Sequence, residues 1–211
     1  MIGCSDLLVK VCGLTRQEDA DLCAELSVQF SGFIFHQASP RYVSPDVVRS
    51  IRAHNMMRVG VFVNHSLDEV RSVMEQAGLH LAQLHGDQDP DFCRALGRDK
   101  VIKAFWPEGY DSRDAFLNDI ERYKEHIRLC LFDSGVSGGG HGVSFDHSLL
   151  TDLNIDKTWF IAGGLGPETL PLALRHMNPC GIDINSGVES APGVKDPDKL
   201  RAVMRFVCSK Q

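Results

Sequence analysis

Residues 58–86, RVGVFVNHSLDEVRSVMEQAGLHLAQLHG, hold one complete strand–helix–strand unit. RVGVFV from Arg58 is a short apolar run, and Ser66 with Glu69 fits a capping box that opens a helix after it. Leu67, Val70, Met74 and Ala77 recur at spacings of three and four, which places them on one buried helical face. Gly78 fits the helix stop, and LAQLHG from Leu81 is the next strand.

The same alternation extends in both directions. Towards the N-terminus lie LLVKVCG from Leu7 and GFIF from Gly32. Towards the C-terminus lie KVIKAFW from Lys100, RLCLFDS from Arg128, WFIAGG from Trp159 and CGIDINS from Cys180, which makes eight strands. Thr15 with Glu18 fits a second capping box, and Ser44-Pro45, Gly166-Pro167 and Asp196-Pro197 put proline at a first helical position. Eight strand–helix units with mostly short connections predict a (β/α)8 TIM barrel, an α/β fold, as one domain over residues 1–211. The rival is a doubly wound open sheet. It rarely needs eight evenly spaced units, and no GxGxxG follows the first strand.

Composition narrows the functional classes. The 211 residues are 43% hydrophobic, enough for a sizeable core. The net charge of -6, with scattered Lys and Arg, argues against nucleic acid or an anionic membrane as partner, while an anionic small molecule fits a few cations focused in one pocket. There is no signal peptide and no unbroken apolar stretch of membrane-span length, so a cytoplasmic enzyme is expected. The sequence admits a monomer. Seven cysteines form no CxxC pair, and such a scattered set predicts reduced thiols.

In a barrel, chemistry gathers at the C-terminal ends of the strands. The polar residues there are Cys12, Asn64, His85, Asp133 and Asp183, and Lys10 shares the Cys12 face. Cys12 reads either as a small buried hydrophobe or as a general base or nucleophile whose thiol, ordinarily near about 8.5, is drawn towards neutrality by Lys10 or by the helix opening near Thr15. Asp133 reads either as a cap for the glycine loop after it or as a general acid raised by partial burial. Asp183 is expected to hold the last loop in shape or to bind substrate. His85 is either a satisfied core histidine or a substrate contact. Arg41, in Ser39-Pro40-Arg41-Tyr42, lies in a solvated turn or forks onto a carboxylate. Gly163 and Gly164, with the turn Asn185-Ser186-Gly187, fit the phosphate site that this fold builds after strands 7 and 8. Gly138 to Gly142 is weak alone, and His141 and His147 are too isolated for a zinc pair, so no metal is expected.

The segments VKVCGLTRQEDA, GFIFHQASPRYVS, VGVFVNHSLDEV, LAQLHGDQDPDFC, LFDSGVSGGGHGVSFD, IAGGLGPETL and DINSGVESAPGVKDPDKL run in order from residue 9 to 200. Together they resemble the phosphoribosylanthranilate isomerase family. That resemblance implies conversion of N-(5-phosphoribosyl)anthranilate to 1-(2-carboxyphenylamino)-1-deoxyribulose 5-phosphate, an Amadori rearrangement in tryptophan biosynthesis. It implies Cys12 as general base, Asp133 as general acid, Arg41 at the anthranilate carboxylate, the late glycine turns at the phosphate, and no cofactor. His141, Val143 and His147 depart from the family pattern. A histidine-pathway sugar isomerase would instead carry a carboxylate base on the first strand and two similar halves. A non-catalytic phosphate-binding barrel would have lost the thiol or the carboxylate.

Overall fold

The computed structural model describes residues 7–133 and 149–209. The glycine-rich stretch 138–142 with His141, and also Val143, His147 and Cys4, lie outside the described residues. Eight parallel strands close into a barrel in sequence order: β1 (Leu8–Val11), β2 (Phe30–Ile34), β3 (Met57–Phe62), β4 (Leu81–Leu84), β5 (Val101–Phe105), β6 (Leu129–Asp133), β7 (Trp159–Ala162) and β8 (Gly181–Ile184). β1 pairs with both β2 and β8, which completes the ring. The described helices are α1 (Gln17–Glu25), α2 (Pro45–Ser50), α3 (Leu67–Ala77), α4 (Pro90–Leu96), α5 (Arg113–Tyr123), α6 (Leu170–Ala173) and α7 (Pro197–Cys208).

Strand side chains alternate between two apolar clusters, as the two-residue period of a strand requires. Phe30, Val59, Leu81, Ile102, Leu129, Leu131 and Phe160 fill the barrel interior. Val9, Val11, Ala82, Leu84, Cys130, Phe132, Ile182 and Ile184 face the helices, with α3 contributing Val70, Met74 and Ala77. The same parity sends Lys10 and Cys12, Gln83 and His85, Asp133, and Asp183 inward, above the apolar plug. The alternation therefore both packs the barrel and aims six polar side chains at its mouth.

Several local expectations hold. The Ser66–Glu69 capping box is formed in both directions, and Gly78 ends α3 in the left-handed region at φ 63°. Ser44 and Asp196 cap α2 and α7, with Pro45 and Pro197 at the first positions. Others fail. Thr15 does not cap α1, because its hydroxyl donates to Gly193 O at 2.6 Å; Arg16 occupies the cap position without a side-chain cap bond. Gly166-Pro167 lies in the turn before α6, which opens at Leu170; the Thr169 hydroxyl ties that turn by accepting from Gly166 N and donating to Gly164 O. A hairpin, β9 (Glu189–Ala191) with β10 (Val194–Lys195), follows β8 and was not expected. Cys12, Cys23, Cys93, Cys130 and Cys208 are free thiols, but Cys180 is disulfide-bonded. The all-reduced expectation fails at that residue because spacing along the chain does not report proximity in space.

Candidate active site

β1 places Lys10 and, one residue past its end, Cys12 on the inner face. Both are buried. Lys10 Nζ donates to Asp183 Oδ2 on β8 at 2.8 Å, matching the Lys10–Asp183 register of the two strands. Room for the pair comes from Gly32 on β2. A Cβ there would stand 3.0 Å from Cys12 Sγ and 3.1 Å from Lys10 Nζ, so the thiol and the ammonium both border one small space. Asp183 is therefore an interior residue held by Lys10 rather than a brace for the last loop. Its Oδ1 is buried without a hydrogen-bond partner.

Burial governs the charges here. It works against the Lys10 ammonium, but Asp183 and Cys12 outweigh it, and the group is held above its ordinary value. Burial pushes the Asp183 carboxyl up; Lys10 opposes that and Asp133 adds to it. Burial likewise pushes the Cys12 thiol up, with Lys10 pulling it down and Asp183 adding to the rise. The thiol thus stands above its ordinary value rather than drawn towards neutrality: removing solvent from the thiolate costs more than one neighbouring cation returns.

His85 ends β4 opposite this group. Its Nε2 lies 3.6 Å from Asp133 Oδ2, and its Nδ1 lies 3.3 Å from Gln83 Nε2. The Trp106 ring meets it edge-on at 5.0 Å. Desolvation, with Lys10 nearby, lowers the imidazole to about 4, so His85 is neutral at neutral pH. A neutral ring that accepts at Nδ1 from Gln83 turns an Nε2–H towards Asp133.

The loops supply the rest. Arg41, expected to fork onto a ligand carboxylate, forks one edge of its guanidinium onto Glu189, with Nε 3.0 Å from both carboxylate oxygens and Nη2 2.7 Å from Oε2. Gly163 and Gly164 both adopt positive φ, 105° and 60°, and a Cβ at Gly164 would meet nothing within 4 Å. Asn185 precedes a three-residue 3-10 turn, Ser186–Val188, and its Oδ1 accepts from Lys195 Nζ at 2.9 Å. Gly187 answers to backbone packing: a Cβ there would stand 2.2 Å from Leu165 O, so the turns after β7 and β8 interlock through glycine. Sequence reasoning missed Glu189 and Lys195. The signal was present in Glu189-Ser-Ala-Pro-Gly-Val-Lys195, where Pro-Gly between two polar ends marks a hairpin. Among the described residues no His/Cys/Asp/Glu group is placed to hold a metal ion, and no helix is long and apolar enough to cross a membrane.

A closed barrel with a thiol, two carboxylates, a neutral imidazole and a buried ammonium around one mouth defines a (β/α)8-barrel enzyme acting on a small molecule. The model of the family N-(5'phosphoribosyl)anthranilate (PRA) isomerase matches residues 9–205. An N-(5'-phosphoribosyl)anthranilate isomerase of Maridesulfovibrio salexigens is 48% identical over 201 residues, covering 95% of this chain and 98% of the relative. The crystal structure of phosphoribosyl anthranilate isomerase from Thermotoga maritima superposes with a TM-score of 0.85 at 32% identity, over 96% of this chain and 99% of that one. A phosphoribosyl anthranilate isomerase in complex with reduced 1-(o-carboxyphenylamino)-1-deoxyribulose 5-phosphate superposes with a TM-score of 0.80 at 30% identity, again over 96% and 99%. The chain belongs to the PRA isomerase family.

Proposed function

We propose that this enzyme converts N-(5-phosphoribosyl)anthranilate to 1-(2-carboxyphenylamino)-1-deoxyribulose 5-phosphate in tryptophan biosynthesis, with Asp133 as general acid and Cys12 as general base. The observation that carries the assignment is the inward placement of both groups, at the ends of β6 and β1, over an otherwise apolar interior.

Asp133 gives a proton to the ribose ring oxygen. The bond from C1′ to that oxygen breaks while the nitrogen lone pair forms C1′=N, leaving a protonated Schiff base. Its positive charge arises beside Cys12 and favours the thiolate, which offsets the burial that pushes the thiol up. Cys12 then takes the C2′ proton, and the electron pair moves into C1′=C2′ and neutralises the iminium nitrogen. The resulting enolamine tautomerises to the C2′ ketone. The iminium nitrogen is the electron sink, so the residues need no cofactor for this chemistry. Lys10, fixed by Asp183, is the standing cation near the thiol. The neutral Nε2–H of His85 faces Asp133 and suits a carboxylate that becomes anionic after giving its proton. Arg41 meets the aryl carboxylate, and the turns at Gly163, Gly164 and Asn185–Gly187 meet the phosphate.

Loss of anthranilate fluorescence as the aminoribose is consumed tests the reading. Cys12→Ser and Asp133→Asn should each cut kcat by roughly 10² to 10⁴ while still binding the reduced product analogue. A Cys12→Ser enzyme with more than a tenth of the parent rate would move the base elsewhere. A nearly active Asp133→Asn beside a dead Asp183→Asn would exchange the roles of the two aspartates.

A further inference from the structure

The β9–β10 hairpin carries a buried ion cluster that the chemistry above does not use. Glu189 and Lys195 are both buried, with side chains 5% and 0% exposed, and Lys195 Nζ donates to Glu189 Oε1 at 2.9 Å. Glu189 also accepts Arg41 through Nε and Nη2, and the Gly193 N–H at 3.1 Å. Lys195 donates in the other direction, to Asn185 Oδ1. One carboxylate and one ammonium thus bridge Arg41, in the loop after β2, to Asn185, in the turn after β8.

A second observation places these ends on one side of the base. Gly13, the residue after Cys12, has φ 70°, and a Cβ there would stand 2.7 Å from Asn185 Oδ1 and 2.8 Å from Arg41 Cδ. The arginine stem, the asparagine amide and the backbone that follows the thiol therefore meet at one point. The cluster is braced from outside. Lys195 N donates to Asp19 Oδ2 at 3.1 Å, Arg16 forks onto the same carboxylate, and Lys199 Nζ donates to Glu189 O at 2.8 Å. Desolvating several charges is an inefficient way to gain stability, since the loss of hydration offsets most of the attraction. Its product here is fixed geometry. Glu189 occupies the Nε side of the guanidinium, which leaves Nη1 and the second Nη2 hydrogen for another carboxylate.

We propose that the Glu189–Lys195 pair is a positioning unit that sets the spacing between the two anion-recognising ends of the substrate site, Arg41 for the aryl carboxylate and the Asn185 turn for the phosphate. The inference rests on the assignment of those two ends made above. Neither Glu189 nor Lys195 touches the reacting atoms; each acts through the residue it holds.

The test compares a two-ended ligand with a one-ended one. Affinities for reduced 1-(o-carboxyphenylamino)-1-deoxyribulose 5-phosphate and for ribulose 5-phosphate are measured by calorimetry, the weak one by displacement, on parent enzyme, Glu189→Gln, Lys195→Met and Arg41→Ala. Glu189→Gln keeps the shape but removes the charge that orients the guanidinium, so the two-ended ligand should weaken by about 10- to 100-fold and ribulose 5-phosphate by less than about threefold. Lys195→Met frees Asn185 as well and should weaken both. A merely structural role would lower the unfolding temperature without separating the two ligands. Glu189→Gln that weakens both ligands equally, or neither, overturns the proposal. Arg41→Ala separates the failures: if it too leaves the two-ended ligand unaffected, the assignment of Arg41 is wrong, whereas an effect of Arg41→Ala beside a silent Glu189→Gln refutes the positioning unit alone.

Discussion

Replacing Lys10 by methionine should move the rising limb of activity, the one set by the Cys12 thiolate, to higher pH. Lys10 Nζ and Cys12 Sγ stand 3.1 and 3.0 Å from a common point, so they are no more than about 6 Å apart. At an effective dielectric constant of about 20, a unit charge at that distance stabilises the thiolate by roughly 2.7 kcal/mol. Asp183 would lose its partner and, already raised by burial, would take up a proton. Removing that nearby anion returns part of the effect, which leaves a smaller net rise in the thiol. Below the thiol pKa, kcat/KM follows the thiolate fraction, so Lys10→Met should lose about tenfold at neutral pH and recover as pH rises. Asp183→Asn has the opposite sign: it removes an anion beside the thiol and keeps the cation, so the limb should move down. The assay is kcat/KM against pH, paired with the rate of iodoacetamide alkylation against pH in a Cys208→Ser background, since Cys208 is the exposed free thiol among the described residues. Limbs that stay in place, or that shift in the same direction in both variants, would refute the electrostatic account of Cys12.

Gly164→Val should weaken a phosphorylated product analogue far more than its dephosphorylated form, since the space beside Gly164 is open; equal weakening would assign the residue to the fold. Gly187→Ala should instead destabilise the protein itself, because its Cβ would collide with Leu165 O, and a thermal melt reads this directly. His85 is depressed from 6.5 to about 4, so the unfolded chain takes its proton first as pH falls. The stability contributed by keeping His85 neutral is whole above pH 6.5 and is lost between there and about pH 4, up to on the order of 3 kcal/mol, and His85→Asn should flatten that part of the pH–stability curve in urea titrations. Ser66→Ala should cost about 1 kcal/mol in the same assay through loss of the α3 cap.

All eight strands were legible as short apolar runs, and in β1, β4, β6 and β8 the inward parity runs on to a polar residue. Boundaries moved by a residue or two; β2 begins at Phe30 rather than Gly32. Capping was legible where the cap is local, as at Ser66, and failed at Thr15, whose hydroxyl is claimed by Gly193 from 178 residues away. The same distinction applies to the site. Cys12, His85, Asp133 and Asp183 could be placed by parity alone. The Glu189 fork on Arg41 could not, because it spans 148 residues and depends on a hairpin of only a few residues. The cation beside Cys12 was legible, because adjacency to Lys10 is visible in a sequence; the burial that pushes the thiol up was not.

The Lys10–Asp183 contact joins residues 173 apart, on the two strands that meet at the seam of the barrel. Such a contact cannot assist early folding, since the entropy of bringing distant segments together must be met before the contact forms. Until β8 docks beside β1, Lys10 has no carboxylate and Cys12 lacks the fixed ammonium at its side. With Cys12 as the proposed base, ring closure and catalytic competence become one event. A partly folded chain with several well-formed strands, and the helices that cover them, would remain inert, and turnover in a refolding experiment would time the docking of the final strand.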